Sequence, residues 1–332
     1  MRSILVIQTA FIGDVVLATA LLESLHKAYP QASIDIAVRK GNEPLFNGHP
    51  FLRKVLIWDK RQAKYRHLIA LLKEIRQHKY SLVVNLQRYA ATGFLTAFSG
   101  GGTTIGFDKN PLHSLFTHSI RHQMGTDGPG EHETTRNHRL IKSLTSLPPA
   151  RPALYPSAED DAYTAQWKQQ PYICIAPTSV WFTKQFPAAK WVELLNVLPE
   201  QLQVYLLGGP GDRGVADEII AATTHRLCTN LSGKCNFLQS ASLMRDARMN
   251  YVNDSAPMHF CSSVNAPVAA VYCSTVPAFG YGPLSDNSRI IETTETLSCR
   301  PCGLHGRTAC PLQHFNCANT ITASQLTAAL PS

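Results

Sequence analysis

No uninterrupted apolar run in these 332 residues approaches the roughly 20 that a membrane-spanning helix needs, so the sequence argues against a chain that crosses a bilayer. The opening run Ile4-Leu5-Val6-Ile7 breaks at Gln8-Thr9, too early for the core of a secretory signal and without a convincing cleavage site. A cytoplasmic protein is expected, and its nine cysteines are then thiols or metal ligands more often than disulfides. Short internal repeats, heptads and low-complexity tracts are also missing. The loop after the first apolar run lacks the G-x-G-x-x-G spacing of a dinucleotide fold, which weighs against a dehydrogenase.

What is present begins with length. At 36.6 kDa and 44% apolar residues, the chain can bury real cores and suits two domains of ordinary size. Charge is divided unequally between the halves. Residues 1–150 hold 19 basic and 10 acidic side chains, a net +9, whereas residues 151–332 hold 12 and 13, a net −1. Nine of the basic residues (Arg53, Lys54, Lys60, Arg61, Lys64, Arg66, Lys73, Arg76 and Lys79) fall within 27 positions. Such a field attracts a polyanion or an anionic membrane surface, although a basic run is often only a solvated helix face. Few aromatics interleave with it and no nucleic-acid motif appears, so nucleic acid is not an expected partner.

Periodicity predicts strands at Ser3–Gln8, Ile34–Val38, Val55–Trp58 and Ser81–Leu86, with helices at Val15–Tyr29, Tyr65–Gln77 and Tyr89–Phe98. In the second of these helices Tyr65, Leu68, Leu72 and Ile75 share the apolar face. Residues 123–137 read as a loop, and Pro148, Pro149, Pro152 and Pro156 as a stiff linker. Alternation then restarts, with strands at Tyr172–Ala176, Val204–Leu207, Asn250–Val252 and Val268–Tyr272 and helices at Ala188–Leu198, Gly214–Thr223, Phe237–Arg245 and Pro257–Val264. The expectation is an α/β chain of two Rossmann-like domains, 1–147 and 171–332, joined by a linker over 148–170. Their mostly parallel sheets would face across a cleft.

Several positions carry chemistry. Gly13-Asp14 opens the first helix, where a carboxylate either steadies the helix start or accepts a proton at a strand's C-terminal end. Thr178-Ser179 and Thr183-Lys184-Gln185-Phe186-Pro187 link a strand to a helix, so Ser179 and Lys184 can cradle a diphosphate or simply decorate a connection. Gly208-Gly209-Pro210-Gly211-Asp212 is a glycine-rich turn able to approach a nucleotide, with Asp212 placed for a ribose. In Asp254-Ser255-Ala256-Pro257-Met258-His259, Asp254 or Ser255 caps a helix whose start offers N–H groups to phosphate, and His259 lies about one turn in. The spacing Cys299-x2-Cys302-x7-Cys310-x6-Cys317 suits a small tetrahedral zinc site within the Cys-rich segment 299–317; reduced thiols or a disulfide are the plainer readings.

The order of these elements resembles glycosyltransferase family 9, the heptosyltransferases of the lipopolysaccharide inner core. The resemblance implies GT-B architecture, with the acceptor on the first domain and the nucleotide-sugar donor on the second. It implies Asp14 as catalytic base and donor contacts from Ser179, Lys184, Gly208, Gly209, Asp212, Asp254, Ser255, Ala256 and His259. The basic stretch, notably Arg61 and Lys64 just before or at the start of its helix, offers a face that can meet acceptor phosphates or anionic headgroups. Ala256 stands where a glycine is usual. No Asp-x-Asp motif of metal-dependent transferases is present. The expected activity is metal-independent, inverting transfer of a sugar, heptose from ADP-heptose, with no cofactor for catalysis. The acceptor would be an anionic glycolipid, met by peripheral contact at the cytoplasmic face of the inner membrane. Transfer of another sugar, or a non-catalytic nucleotide- or glycan-binding role, is the alternative.

Overall fold

The computed structural model describes residues 2–123 and 130–331. The chain divides into two compact units, Met1–Tyr155 and Pro156–Ser332.

In the first unit β1 (Ser3–Ile7), α1 (Ile12–Ala28), β2 (Ser33–Arg39), β3 (Leu52–Trp58), α2 (Lys64–Gln77), β4 (Leu82–Asn85), α3 (Ala90–Ala97), β5 (Thr103–Phe107), β6 (His118–Ile120) and α4 (Glu133–Arg139) follow in order. The six strands form one all-parallel sheet of order β3-β2-β1-β4-β5-β6. Central strands read as continuous apolar runs because helices cover both faces of such a sheet. Leu5, Ile7, Val83, Leu56, Trp58 and Leu95 share one core with Leu68, Leu71 and Ile75 of α2. Each such side chain, fully buried, contributes about 1.5–3 kcal/mol.

Inside this core β2 buries Asp35 completely. Its carboxylate accepts two hydrogen bonds from Arg53 (3.0 and 2.6 Å) and one from the Tyr80 hydroxyl (2.5 Å), which keeps a buried charge paired. The apolar face of α2 differs from expectation at its first member. Tyr65 is exposed, with the Lys64 ammonium 5.6 Å from its ring centre, while Leu71 takes a buried place. Part of the loop expected over 123–137 lies outside the described residues (124–129), and its end is helix α4. His132 Nδ1 accepts the Thr134 N–H, and the buried Arg136 pairs with Glu133. A helix that buries paired polar groups leaves no apolar stripe to read.

The second unit runs α5 (Ala158–Thr164), β7 (Tyr172–Ala176), α6 (Ala188–Leu195), β8 (Gln203–Leu206), α7 (Arg213–Ala222), β9 (Cys228–Asn230), α8 (Phe237–Arg245), β10 (Asn250–Asn253), α9 (Ala256–Ser263), β11 (Val268–Tyr272), β12 (Ser288–Glu292), α10 (Asn316–Asn319) and α11 (Ala323–Thr327). Its sheet is also all parallel, β12-β11-β10-β7-β8-β9. Counted within each unit, both sheets therefore have strand order 3-2-1-4-5-6, the doubly wound order. Helix α5 stands within the stretch read as linker, started by a capping box between Ser157 and Asp160.

Two histidines of the first unit set an acid limit on its stability. His49 lies among Phe46, Phe51 and Tyr155, and neither of its buried ring nitrogens has a hydrogen-bond partner. Burial, reinforced by His26, lowers its pKa to about 4; burial, reinforced by Arg88, does the same to His122. A depressed histidine pKa means that the unfolded chain binds more protons between the ordinary 6.5 and about 4. Stability is thus complete above pH 6.5 and lost as pH falls through that window. Thermal unfolding followed from pH 7.5 to 4.5 should show this decline, and His49→Phe should flatten it. An unchanged slope in the variant would remove His49 as a cause.

Candidate functional site

In a doubly wound sheet ligands bind beyond the strand C-terminal ends, where the strand order reverses. In the second unit that point lies between β7 and β10. The loop after β7 carries Ser179 and Lys184, and the turn after β10 carries Asp254 and Ser255. Lys184 Nζ lies 2.7 Å from Asp254 Oδ2, and both side chains are largely buried. The same carboxylate oxygen accepts the Thr275 hydroxyl at 2.6 Å. Asp254 therefore does not cap α9, because its charge is drawn to the lysine. Ser255 occupies the cap position, yet its hydroxyl donates to Asn253 O (3.4 Å), and no side chain caps the helix. The positive end of α9, beginning at Ala256, thus carries no side-chain cap.

Buried Asn253 ties the two loops together. Its Oδ1 accepts the Phe186 N–H at 2.9 Å, and its Nδ2 donates to Ala176 O and Thr178 O. Ser179 N donates to Gln185 Oε1 (3.2 Å), while Phe186 packs edge-on against Trp191 at 4.9 Å and anchors the loop in the core. His259 is buried on α9 rather than presented at its tip.

The glycine-rich turn after β8 closes on itself. Asp212 Oδ2 accepts the Gly209 N–H at 2.7 Å, and a Cβ on Gly208 would stand 2.7 Å from Asp212 Cβ. Gly209-Pro210-Gly211-Asp212-Arg213-Gly214 does have G-x-G-x-x-G spacing, but it follows a strand one removed from the reversal of order.

Cys299, Cys302, Cys310 and Cys317 line one cavity of about 260 Å³ with His314 and Phe315. The arrangement expected for zinc is not formed. Among the described residues no three Cys, His, Asp or Glu side chains are placed to hold a metal ion, and all nine cysteines are free thiols. Cys317 is drawn into the core, where burial raises its thiol pKa to about 11, while the Cys299 thiol lies 3.9 Å from His314 Nε2.

In the first unit the order reverses between β1 and β4. Asp14 is the third residue of α1; Phe11 holds the cap position and makes no side-chain cap bond. The loop before it is fastened on three sides. Lys60 Nζ donates to Thr9 O (2.7 Å) and Thr9 Oγ1 (3.0 Å), Gln87 Oε1 accepts the Thr9 N–H (3.1 Å) and hydroxyl (2.6 Å), and Asn42 donates to Ala10 O (3.1 Å). Burial, with Arg39 and Lys64 nearby, lowers the Lys60 pKa to about 8. Arg61, Lys64, Arg66 and Lys73 are all exposed at or along α2. Sequence reasoning missed Gln87, Asn42, Asn253, Ser274 and Thr275 altogether, and placed Lys60 only within a charge run. Their one signal is position at or just beyond a strand end.

Two all-parallel sheets of this order are the pair of Rossmann-like halves that make up GT-B architecture. Residues 68–309 match the model of glycosyltransferase family 9 (heptosyltransferase), and the chain belongs to that family; it is a glycosyltransferase. Among its relatives, lipopolysaccharide heptosyltransferase 3 of Escherichia coli is 27% identical over 296 residues, covering 83% of this chain and 85% of that protein. The solved structure of E. coli ADP-heptose lps heptosyltransferase II superposes with a TM-score of 0.80 at 22% identity, over 99% and 98% of the two chains. A glycosyltransferase family 9 structure from Veillonella parvula gives 0.85 at 19% identity, over 99% and 96%. Among the described residues no helix is long and apolar enough to cross a membrane.

Proposed function

We propose that this enzyme transfers heptose from ADP-heptose, with inversion, to the inner core of a lipopolysaccharide acceptor at the cytoplasmic face of the inner membrane. The observation that carries the donor half is the Lys184–Asp254–Thr275 arrangement beside the uncapped start of α9. A nucleotide-sugar already contains its leaving group; the step needs charge stabilisation of the departing diphosphate, which the lysine and the helix start supply without calling on a metal ion. Ser179, Gly208 and Gly209 border the same strand ends, and Asp212 and His259 support their turn and helix. Asp14 takes the proton of the acceptor hydroxyl as that oxygen forms its bond to the sugar carbon and the diphosphate leaves from the opposite side.

The acceptor half rests on charge. Arg61 and Lys64, with Arg66 and Lys73, offer an exposed basic face to the phosphates of an anionic glycolipid and to lipid headgroups. The names of the relatives favour heptose and lipopolysaccharide over other sugars and acceptors. A thermal-shift panel of ADP-heptose and UDP-, GDP- and CDP-sugars tests the donor, since a ligand that binds only the folded state at 100 times its Kd stabilises by about 2.7 kcal/mol. ADP-heptose should raise the melting point. A shift with a UDP-sugar and none with ADP-heptose would overturn the assignment.

A further inference from the structure

We propose that Arg300 is a positioning residue for the donor-diphosphate site, acting through Ser274 and Thr275 on Asp254 and Lys184. The proposal rests on the reading of Lys184 as a diphosphate contact. Arg300 belongs to the Cys-rich segment, yet its guanidinium points to the C-terminal end of β11. Its Nε donates to Cys273 O at 2.8 Å, and its Nη2 to Tyr272 O (3.2 Å), Thr275 O (2.9 Å) and Glu292 Oε2 (2.6 Å). Three carbonyls of one chain reversal are thus gathered by a single planar group, whose fixed fork of donors a flexible ammonium does not reproduce.

The reversal so fixed carries two buried hydroxyls. Ser274 Oγ donates to Thr183 Oγ1 at 3.0 Å and Ser274 N to Thr183 O at 3.2 Å, which holds the residue next to Lys184. The Thr275 hydroxyl donates to the carboxylate oxygen of Asp254 that also meets Lys184.

The rest of the segment converges on the same residues. Cys302 N donates to Ser274 O (2.7 Å), Arg307 N to Thr183 Oγ1 (2.7 Å), and Thr183 N to Arg307 O (3.1 Å). Gly306, at φ +75°, lies so close that a Cβ there would stand 2.9 Å from Lys184 Cγ. The cysteine-rich strap is therefore the scaffold against which the lysine is set.

A double-mutant cycle tests this, with ADP as the probe in titration calorimetry of the full chain. Arg300→Lys keeps the charge and loses the fork; it should weaken ADP binding by roughly tenfold in the otherwise unchanged protein. In a Lys184→Ala background it should add little, because the group it positions is gone. Thr275→Val, nearly isosteric, cuts the chain one link later and should repeat the pattern even if Arg300→Lys folds poorly. Equal weakening in both backgrounds, or unchanged ADP affinity in Arg300→Lys and Thr275→Val, would overturn the proposal. Unchanged affinity in Lys184→Ala alone would instead defeat the diphosphate reading on which it stands.

Discussion

Asp14→Asn is expected to lower turnover by roughly 10²- to 10⁴-fold, the usual range for loss of a general base, while leaving nucleotide affinity intact. The substitution keeps the shape of the side chain and removes the charge. A purely structural Asp14 predicts otherwise. As the third residue of α1 its carboxylate favours the helix dipole, worth about 0.3–1 kcal/mol at a surface site, so Asn would cost a little stability and no turnover. Sugar-transfer rates at saturating donor, set beside melting curves, separate the two. Retained turnover would end the proposed mechanism. The loop that delivers Asp14 is held by Lys60, Gln87 and Asn42, so the backbone entering the helix should not move when the carboxylate is neutralised.

Lys184→Ala should weaken nucleoside diphosphate binding roughly 10- to 100-fold, the loss of a charged hydrogen bond worth about 1.5–3 kcal/mol. It should also lower the melting point, because Asp254 is left largely buried with a neutral hydroxyl, that of Thr275, and without its cation. These effects have different causes and can be separated. Adding Asp254→Asn removes the stranded charge, so the double variant should regain melting temperature without regaining affinity. If it recovers both, Lys184 serves the fold and not the ligand.

Most interior strands were legible in the sequence and most edge strands were not, with one exception each way: edge strand β3 was read at Val55–Trp58, and interior strand β5 was missed. β1, β4, β7 and β11 are apolar runs because both faces are covered, and each lies within a residue or two of its predicted position. β5, β6, β9 and β12 went unread; in β5 two threonines and Gly106 leave only Ile105 and Phe107 as apolar signal. His118–Ile120 and Cys228–Asn230 have three residues each, none of them fully buried, and Arg289 and Ile290 of β12 face solvent. These edge strands bury too little to need an apolar pattern. Helices were legible where an apolar stripe is buried: α8 falls at Phe237–Arg245 as expected, burying Leu238, Ala241, Leu243 and Met244.

The site divides along similar lines. Lys184 and Asp254 were each visible as chemistry in a loop, but not as partners, since 70 residues separate them and only the pairing of β7 with β10 brings their loops together. Once paired, Asp254 is no longer available as a cap, so a local rule about helix starts gave way to a longer-range charge. Arg300 was hidden between two cysteines whose spacing drew the eye to metal chemistry, while the neighbouring arginine held the backbone.

All nine cysteines lie between Cys174 and Cys317, so the second unit carries every thiol and the first carries none. An alkylating probe or an oxidant that attacks sulfur is consequently blind to half of the molecule. Within the responsive half, reactivity is graded by depth: Cys299, Cys302 and Cys310 are partly accessible, whereas Cys174, Cys261 and Cys273 are sealed in the core with thiols pushed far from ionisation. The order in which labels arrive amounts to a built-in depth gauge for the second unit, with its first marks on the strap that carries Arg300.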